Sequence, residues 1–125
     1  MKLHHMGIIV KDIQKAIAMY RAMGYTLEKG PVLDHIQNNV IAFLCGPSPR
    51  MELIEPLGEQ SSVYHFKAGY HHMCYEAEEG EHILQAFRSM QVGKIFTPPI
   101  VAPALGGREV AFACLQNGTF VEFIL

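Results

Sequence analysis

One histidine and one glutamate recur at matching points in the two halves of this chain of 125 residues. The triplet His4-His5-Met6 returns 67 positions later as His71-His72-Met73. Glu52-Leu53-Ile54 is echoed 70 positions later by Glu122-Phe123-Ile124. Two imidazoles and two carboxylates form a mixed nitrogen and oxygen donor set, which suits a six-coordinate divalent metal ion with open positions. The repeated pattern therefore predicts a metal centre to which both halves of the chain contribute.

The elements that must position these residues also repeat. Hydrophobic periodicity predicts one βαβββ order in each half. In the first half we expect strands at 3–10, 25–29, 39–45 and 51–57, with a helix from Ile13 to Met23 that Asp12 caps. In the second half we expect strands at 71–76, 94–97, 109–115 and 119–125, with a helix over 79–90. The domain is thus predicted to be a first module of about 1–57, a linker of 58–69 and a second module of about 70–125.

Three segments between these elements contain strong turn formers. Gly30-Pro31 is expected to end the second strand, because proline cannot donate to a strand ladder. The linker is expected to contain a short helical turn around 63–66. The Gly- and Pro-rich segment 98–107 is predicted to be an ordered surface loop near the site.

Strand parity indicates which side chains converge. Side chains alternate between the two faces of a strand, and the more apolar faces should pack on the helices. This places His5, Glu52, His72 and Glu122 on the opposite face, in a cleft. Glu122 stands in an apolar run, where an unpaired carboxylate would be costly. His4 and His71 have the opposite parity and are interpreted as residues of the other face or the surface, although a register shift of one would exchange them with their neighbours.

Composition excludes several classes of function. Half of the residues are hydrophobic and 18% are charged, which is typical of one globular domain. The net charge of -2 comes without a basic stripe, so nucleic acid is not an expected partner. No apolar run approaches the roughly 20 residues of a membrane span, and the start is unlike a signal peptide. Cys45, Cys74 and Cys114 are interpreted as buried free thiols of a cytoplasmic protein.

Longer motifs resemble a known family. The segments that carry the resemblance are His4 to Ile13, Glu52 to Ser62, His71-His72-Met73 with the later Glu76, Gly106 to Phe112, and Val121 to Ile124. Together they resemble the vicinal-oxygen-chelate superfamily over nearly the whole chain, and methylmalonyl-CoA epimerases and glyoxalase I enzymes in particular. The resemblance implies an α+β fold in which two tandem βαβββ modules form curved mixed sheets around a metal-binding cleft.

The resemblance also implies a function. The family's metal ligands fall on His5, Glu52, His72 and Glu122, and the metal would be Ni, Co, Mn, Fe or Zn. Glu52 and Glu122 would be the catalytic bases of an isomerase or epimerase that moves the proton α to a carbonyl. The substrate would be a small thioester, as in methylmalonyl-CoA epimerase, or a hemithioacetal, as in glyoxalase I (lactoylglutathione lyase).

Two further readings stay open at this point. One is a non-catalytic binding or resistance protein of the same fold, and the other is a dioxygenase. The fourth ligand argues against the dioxygenase, because such enzymes generally use two histidines and one carboxylate. Family members either complete the cleft within one chain or share ligands across a dimer, and we expect a homodimer. For the negative charge of CoA or glutathione the sequence offers four scattered cations, which are Arg50, Lys67, Arg88 and Arg108.

Overall fold

Nine strands and two helices make up residues 1–125 in this computed structural model. The first half contains β1 (Lys2–Ile9), α1 (Ile13–Ala22), β2 (Thr26–Asp34), β3 (Asn39–Cys45) and β4 (Met51–Pro56). The second half contains β5 (Gly69–Glu76), α2 (Ile83–Met90), β6 (Gly93–Ile95), β7 (Ile100–Ala102), β8 (Arg108–Leu115) and β9 (Phe120–Ile124). Short 3-10 turns occur at Gly58–Gln60 and Pro103–Leu105. Neither helix is long and apolar enough to cross a membrane.

The strands form one curved, unclosed sheet whose order is symmetric about its centre. That order is β2-β3-β4-β1-β5-β9-β8-β6, with β7 paired to β8. At the centre β1 and β5 run antiparallel. Each of them then has a parallel outer neighbour, β4 for β1 and β9 for β5. The predicted α+β class with mixed, curved pairing is confirmed, and equivalent strands of the two halves lie at equivalent distances from the centre.

The two helices cover one face of this sheet. Asp12 begins α1 by accepting a hydrogen bond from the Lys15 backbone N–H at 3.1 Å. The buried face of α1 then packs against Ala42, Leu44, Met51 and Leu53. On the other half, α2 packs Ile83 and Phe87 against Ala113, Val121 and Phe123. Because strand side chains alternate, the neighbouring residues of these strands must face the opposite side of the sheet.

Three sequence-based boundaries were wrong, each for a local reason. Gly30-Pro31 does not end β2, because the register shifts between Lys29 and Val32 and the strand continues as a bulge. Helix α2 begins at Ile83 rather than 79, after a turn in which the Glu81 carboxylate accepts the Glu78 backbone N–H.

The third error lies in the Gly- and Pro-rich segment. It contains a strand, β7, that pairs with β8 through Ile100 and Val110. Pairing with β8 determines this conformation, and hydrophobic periodicity over only three residues could not predict it. In the linker, the 3-10 turn lies at Gly58–Gln60, ahead of the predicted turn around 63–66, where the Phe66 N–H donates to the Val63 carbonyl.

Candidate metal centre

Four central strands bring His5, Glu52, His72 and Glu122 together on the face away from the helices. His5 lies on β1, Glu52 on β4, His72 on β5 and Glu122 on β9. Their exposed fractions are only 0%, 8%, 1% and 3%. The sheet register explains the meeting, because Gly7 of β1 pairs with Glu52 on one side and with His72 on the other. Likewise, Cys74 of β5 pairs with His5 on one side and with Glu122 on the other.

The side-chain atoms of these four residues converge on a point. One ligand atom from each lies within 4.8 Å of the others. The Nε2 atoms of His5 and His72 are both 3.1 Å from Glu122 Oε2, and each is 3.8 Å from a Glu52 oxygen. The two Nε2 atoms are 3.4 Å apart. Adjacent ligand atoms around an ion with bonds of about 2.1 Å lie about 3.0 Å apart, so the donor set fits a divalent ion after small adjustments.

Gly7 makes room for one of the histidines. A Cβ atom built on Gly7 would lie 2.7 Å from His72 Nε2 and 2.5 Å from His72 Nδ1, and closer still to Cε1. Real side chains do not approach so closely, so the imidazole occupies the volume that any other residue would fill. Sequence reasoning missed this role. The signal available was a glycine inside a strand, which often marks a close approach.

Burial and hydrogen bonds shift the pKa values of the two carboxylates in opposite directions. Burial raises the pKa of Glu52 and so favours its protonated form. Burial acts in the same direction on Glu122, but hydrogen bonds from His5 and His72 outweigh it and hold the pKa of Glu122 well below its ordinary value. Burial disfavours the charged form of His72, yet its hydrogen bond to Glu122 raises the pKa of that ring. The centre therefore holds one carboxylate that readily keeps a proton and one that readily loses it.

The interpretation of His4 and His71 as second-face or surface residues was wrong for His71. His71 lines the cavity beside His72, and its ring packs against Phe66 and Phe120. His71 Nδ1 lies 2.8 Å from His72 Nδ1, and His4 Nδ1 lies 2.8 Å from His5 Nδ1. Burial, together with the adjacent histidine, lowers the pKa of both His4 and His71 from 6.5 to about 4.

A cavity of about 450 Å³ opens in front of the centre. Most of its wall is apolar, and the larger side chains in it are Ile36, Phe66, Phe96, Ile100, Phe112 and Phe120. Its charged residues are all acidic, namely Asp34, Glu52 and Glu122, and no lysine or arginine lines it. The segment predicted to be a loop near the site does contribute to the wall, through β7 and the turn after it. A ligand in this cavity would therefore meet mostly apolar surface, with polar side chains at the four-residue centre and elsewhere in the wall, such as Gln37 and Asn39.

Other polar residues that the sequence raised lie outside the centre. Glu55 accepts the backbone N–H of Ile13 at 3.3 Å, at the start of α1. Glu76 pairs with Arg108 at 3.2 Å. Arg50 pairs with Glu28 at 3.1 Å and contacts His4. The three cysteines are free, but only Cys74 is fully buried, so the expectation of burial was wrong for Cys45 and Cys114.

A family model described as the Glyoxalase/Bleomycin resistance protein/Dioxygenase superfamily matches residues 4–112. The chain belongs to this superfamily, the vicinal-oxygen-chelate proteins. The resemblance that the sequence motifs indicated is thereby confirmed.

Relatives of similar sequence include epimerases. The ethylmalonyl-CoA/methylmalonyl-CoA epimerase of Cereibacter sphaeroides is 36% identical over 85 residues, which cover 62% of this chain and 62% of that protein. The mitochondrial methylmalonyl-CoA epimerase of Homo sapiens is 31% identical over 62% of this chain and 47% of its own length. The chain thus spans about half to two thirds of these two relatives. An uncharacterized Bacillus subtilis protein, YqjC, is 30% identical over 97% of this chain and 89% of its length.

Solved structures share the whole fold. A methylmalonyl-CoA epimerase from Mycobacterium tuberculosis superposes with a TM-score of 0.82 at 21% identity, covering 98% of this chain and 86% of that one. A hypothetical protein, BH1468, from Bacillus halodurans gives the same TM-score at 27% identity, covering 98% and 92%. The arrangement of strands and helices described above is therefore that of the methylmalonyl-CoA epimerase fold.

Proposed function

We propose that this protein is a metal-dependent epimerase that moves the proton α to a thioester carbonyl, as methylmalonyl-CoA epimerases do. The observation that carries the proposal is the convergence of His5, Glu52, His72 and Glu122 beside a mostly apolar cavity, which the last three of them line. The epimerases among its relatives support the reaction type. Solved neighbours include a methylmalonyl-CoA epimerase in complex with methylmalonyl-CoA, which supports a CoA thioester as the substrate class.

In this proposal the four residues are the metal ligands. Two imidazole nitrogens and two carboxylates leave about two positions of a six-coordinate ion for substrate oxygens. A divalent ion bound there, such as Ni, Co, Mn, Fe or Zn, would supply a Lewis acid for the charge that develops on the carbonyl oxygen. The His5 and His72 rings are positioned by burial and by contact with a phenylalanine ring, Phe43 for His5 and Phe112 for His72.

Glu52 and Glu122 would exchange the proton. An ionised carboxylate takes the α-proton, and a protonated one can return a proton to the other side of the same carbon. Either carboxylate could serve as this base on loosening from the ion, and the other could return the proton from the opposite side. Proton return by the second group inverts the α-carbon. The apolar wall around Phe112 and Phe120 keeps water from competing for the proton.

The decisive experiment combines metal content with proton exchange. We expect the wild type to bind about one cobalt ion per chain and to exchange the α-proton of methylmalonyl-CoA for deuterium in D₂O. Glu122→Gln should weaken cobalt binding and abolish exchange, because it removes a ligand and a base together. Glu55→Gln is the matched control, since Glu55 lies on the same sheet but contacts α1 instead.

The same preparations separate the alternatives. Conversion of a hemithioacetal to a thioester, without exchange on methylmalonyl-CoA, would replace the proposal by glyoxalase I-type isomerisation. One bound cobalt without either reaction would indicate a binding or resistance protein. Absence of cobalt binding by the wild type would refute the metal centre and both enzyme functions.

We further propose that the protein acts as a homodimer in a reducing cytoplasm. Three large apolar side chains are exposed within a short stretch of the linker and the start of β5, at Tyr64, Phe66 and Tyr70, and exposed apolar surface favours a contact with another chain. The three free cysteines favour a reducing compartment. Sedimentation equilibrium that gives one chain per particle would refute the dimer.

A further inference from the structure

Each histidine of the centre is hydrogen-bonded to the histidine that precedes it in the sequence. His4 Nδ1 and His5 Nδ1 lie 2.8 Å apart, and so do His71 Nδ1 and His72 Nδ1. We call His4 and His71 the outer rings and His5 and His72 the inner rings. The Nε2 atom of each inner ring lies 3.1 Å from Glu122 Oε2. The same two-ring chain thus occurs once in each half of the molecule, and it ends at the same carboxylate.

The number of ring hydrogens sets the direction of these bonds. A neutral imidazole carries one N–H, on Nδ1 or on Nε2. When the inner rings donate from Nε2 to Glu122, their Nδ1 atoms accept, and the outer rings must donate. When the inner Nε2 atoms bind a metal ion through their lone pairs, the hydrogens move to Nδ1. The inner rings then donate, and each outer ring must accept at Nδ1 and carry its hydrogen on Nε2.

His4 and His71 differ in how readily they can accept at Nδ1 and carry their hydrogen on Nε2. His71 faces the cavity, and its Nε2 has no protein hydrogen-bond partner, so it can carry the hydrogen. His4 Nε2 lies 2.9 Å from Arg50 Nη1. A guanidinium only donates, so a hydrogen on His4 Nε2 would place two donors face to face. Arg50 is also held by Glu28, at 3.1 Å from Nε to Oε2, which favours its present position.

We propose that His71 and His4 are positioning residues that accept the Nδ1 hydrogens of the two metal-binding histidines, and that Arg50 opposes this at His4. The inference rests on the metal centre of the proposed function and assigns roles to three residues outside the ligand set. In the second half, His71 Nδ1 can accept the His72 hydrogen without displacing another residue. In the first half, loading of the centre requires Arg50 to leave His4.

Cobalt(II) alone is the probe, with affinity measured by calorimetry and geometry by the visible absorption spectrum. His71→Leu should weaken binding by roughly 10- to 100-fold, because it removes an outer partner of a ligand histidine. His71→Asn should restore most of the affinity, because its Oδ1 can accept the hydrogen in place of Nδ1. Arg50→Met should bind cobalt about tenfold more tightly, because one opposed hydrogen bond no longer has to break.

Glu28→Gln is the matched control for Arg50. It removes the ion pair that holds Arg50 but leaves the arginine beside His4, so its cobalt affinity should lie between those of the wild type and Arg50→Met. Equal affinities for the Leu and Asn variants of His71, or an Arg50→Met variant no tighter than wild type, would overturn the proposal. Thermal unfolding without metal shows whether each variant is folded, and the Asn and Met variants decide the question if the Leu variant is not.

Failure of the proposed function has a separate signature. A wild type that binds no cobalt refutes the metal centre itself. Suppose instead that the wild type binds cobalt and exchanges the α-proton, but the cobalt affinities of Arg50→Met and His71→Asn differ from those expected. That result refutes only the roles of His4, His71 and Arg50.

Discussion

Gly7→Ala tests how tightly the sheet holds the metal-binding face. Gly7 pairs with His72 across β1 and β5, and the new Cβ would lie 2.7 Å from His72 Nε2. Ordinary contacts between non-bonded heavy atoms are about 3.5 Å, so Nε2 must move by about 0.8 Å or more. Since the His72 ring is 1% exposed and packs edge-on to His5 and Phe112, the displacement must push it against these rings or into the adjoining cavity, away from its present position.

A shift of this size should disable the centre. Metal–ligand distances in a functional site stay within about 0.2 Å of their ideal values, which is well below the expected displacement. We therefore expect Gly7→Ala to weaken cobalt binding by roughly 100-fold and to reduce α-proton exchange at least as much. Overpacking in the centre of the sheet should also lower the free energy of unfolding by about 1–3 kcal/mol.

The assay pairs a cobalt titration with urea unfolding followed by circular dichroism. Gly93→Ala is the matched control, because Gly93 lies in β6, away from the four ligands, and its Cβ would lie 2.9 Å from the Cα of Leu115 in β8. It should be destabilised without a change in cobalt affinity. A Gly7→Ala protein with wild-type affinity and spectrum would refute the argument that the missing side chain creates the space for His72.

Three other predictions follow from burial. Leu44→Ala should lower the free energy of unfolding in urea by about 2–5 kcal/mol, since Leu44 is fully buried under α1. Its cobalt affinity should not change. A decrease in the free energy of unfolding of under about 1 kcal/mol would contradict the packing described above. Burial raises the pKa of the Cys74 thiol, so a thiol reagent should modify Cys45 and Cys114 in the folded protein and Cys74 only after unfolding, as mass spectrometry of the labelled peptides would show. The pKa of His4 and His71 is about 4 in the folded chain and 6.5 ordinarily, so the unfolded chain binds more protons between these values. The metal-free protein should therefore lose stability as the pH falls from 6.5 towards 4, and His71→Asn should flatten that dependence in thermal melts.

Much of the fold was accessible from local patterns. The N-cap at Asp12 and the strand at Asn39–Cys45 were predicted correctly, because each depends on periodicity or on a nearby hydrogen bond. The α+β class, which the family resemblance implied, was also correct. The continuation of β2 through Gly30-Pro31 and the existence of β7 were not. Both depend on pairing with a strand distant in sequence, which overrides the local preference for a turn. The module boundaries at 1–57 and 70–125 stay a prediction.

The candidate centre shows the same division. Alternation along each strand assigned His5, Glu52, His72 and Glu122 to one face, and the structure places all four together; their role as ligands stays a prediction. What the sequence by itself determined was the side of the sheet on which each residue lies, because that follows from a period of two within one strand.

Only the tertiary structure decided which neighbours these residues have. Register between β1, β4 and β5 puts Gly7 between Glu52 and His72. Ring orientation brings His71 into the cavity and His4 to Arg50. These contacts join residues that are far apart in the chain, and their geometry is set by how strands align and side chains pack in three dimensions. Local periodicity carries no information about either.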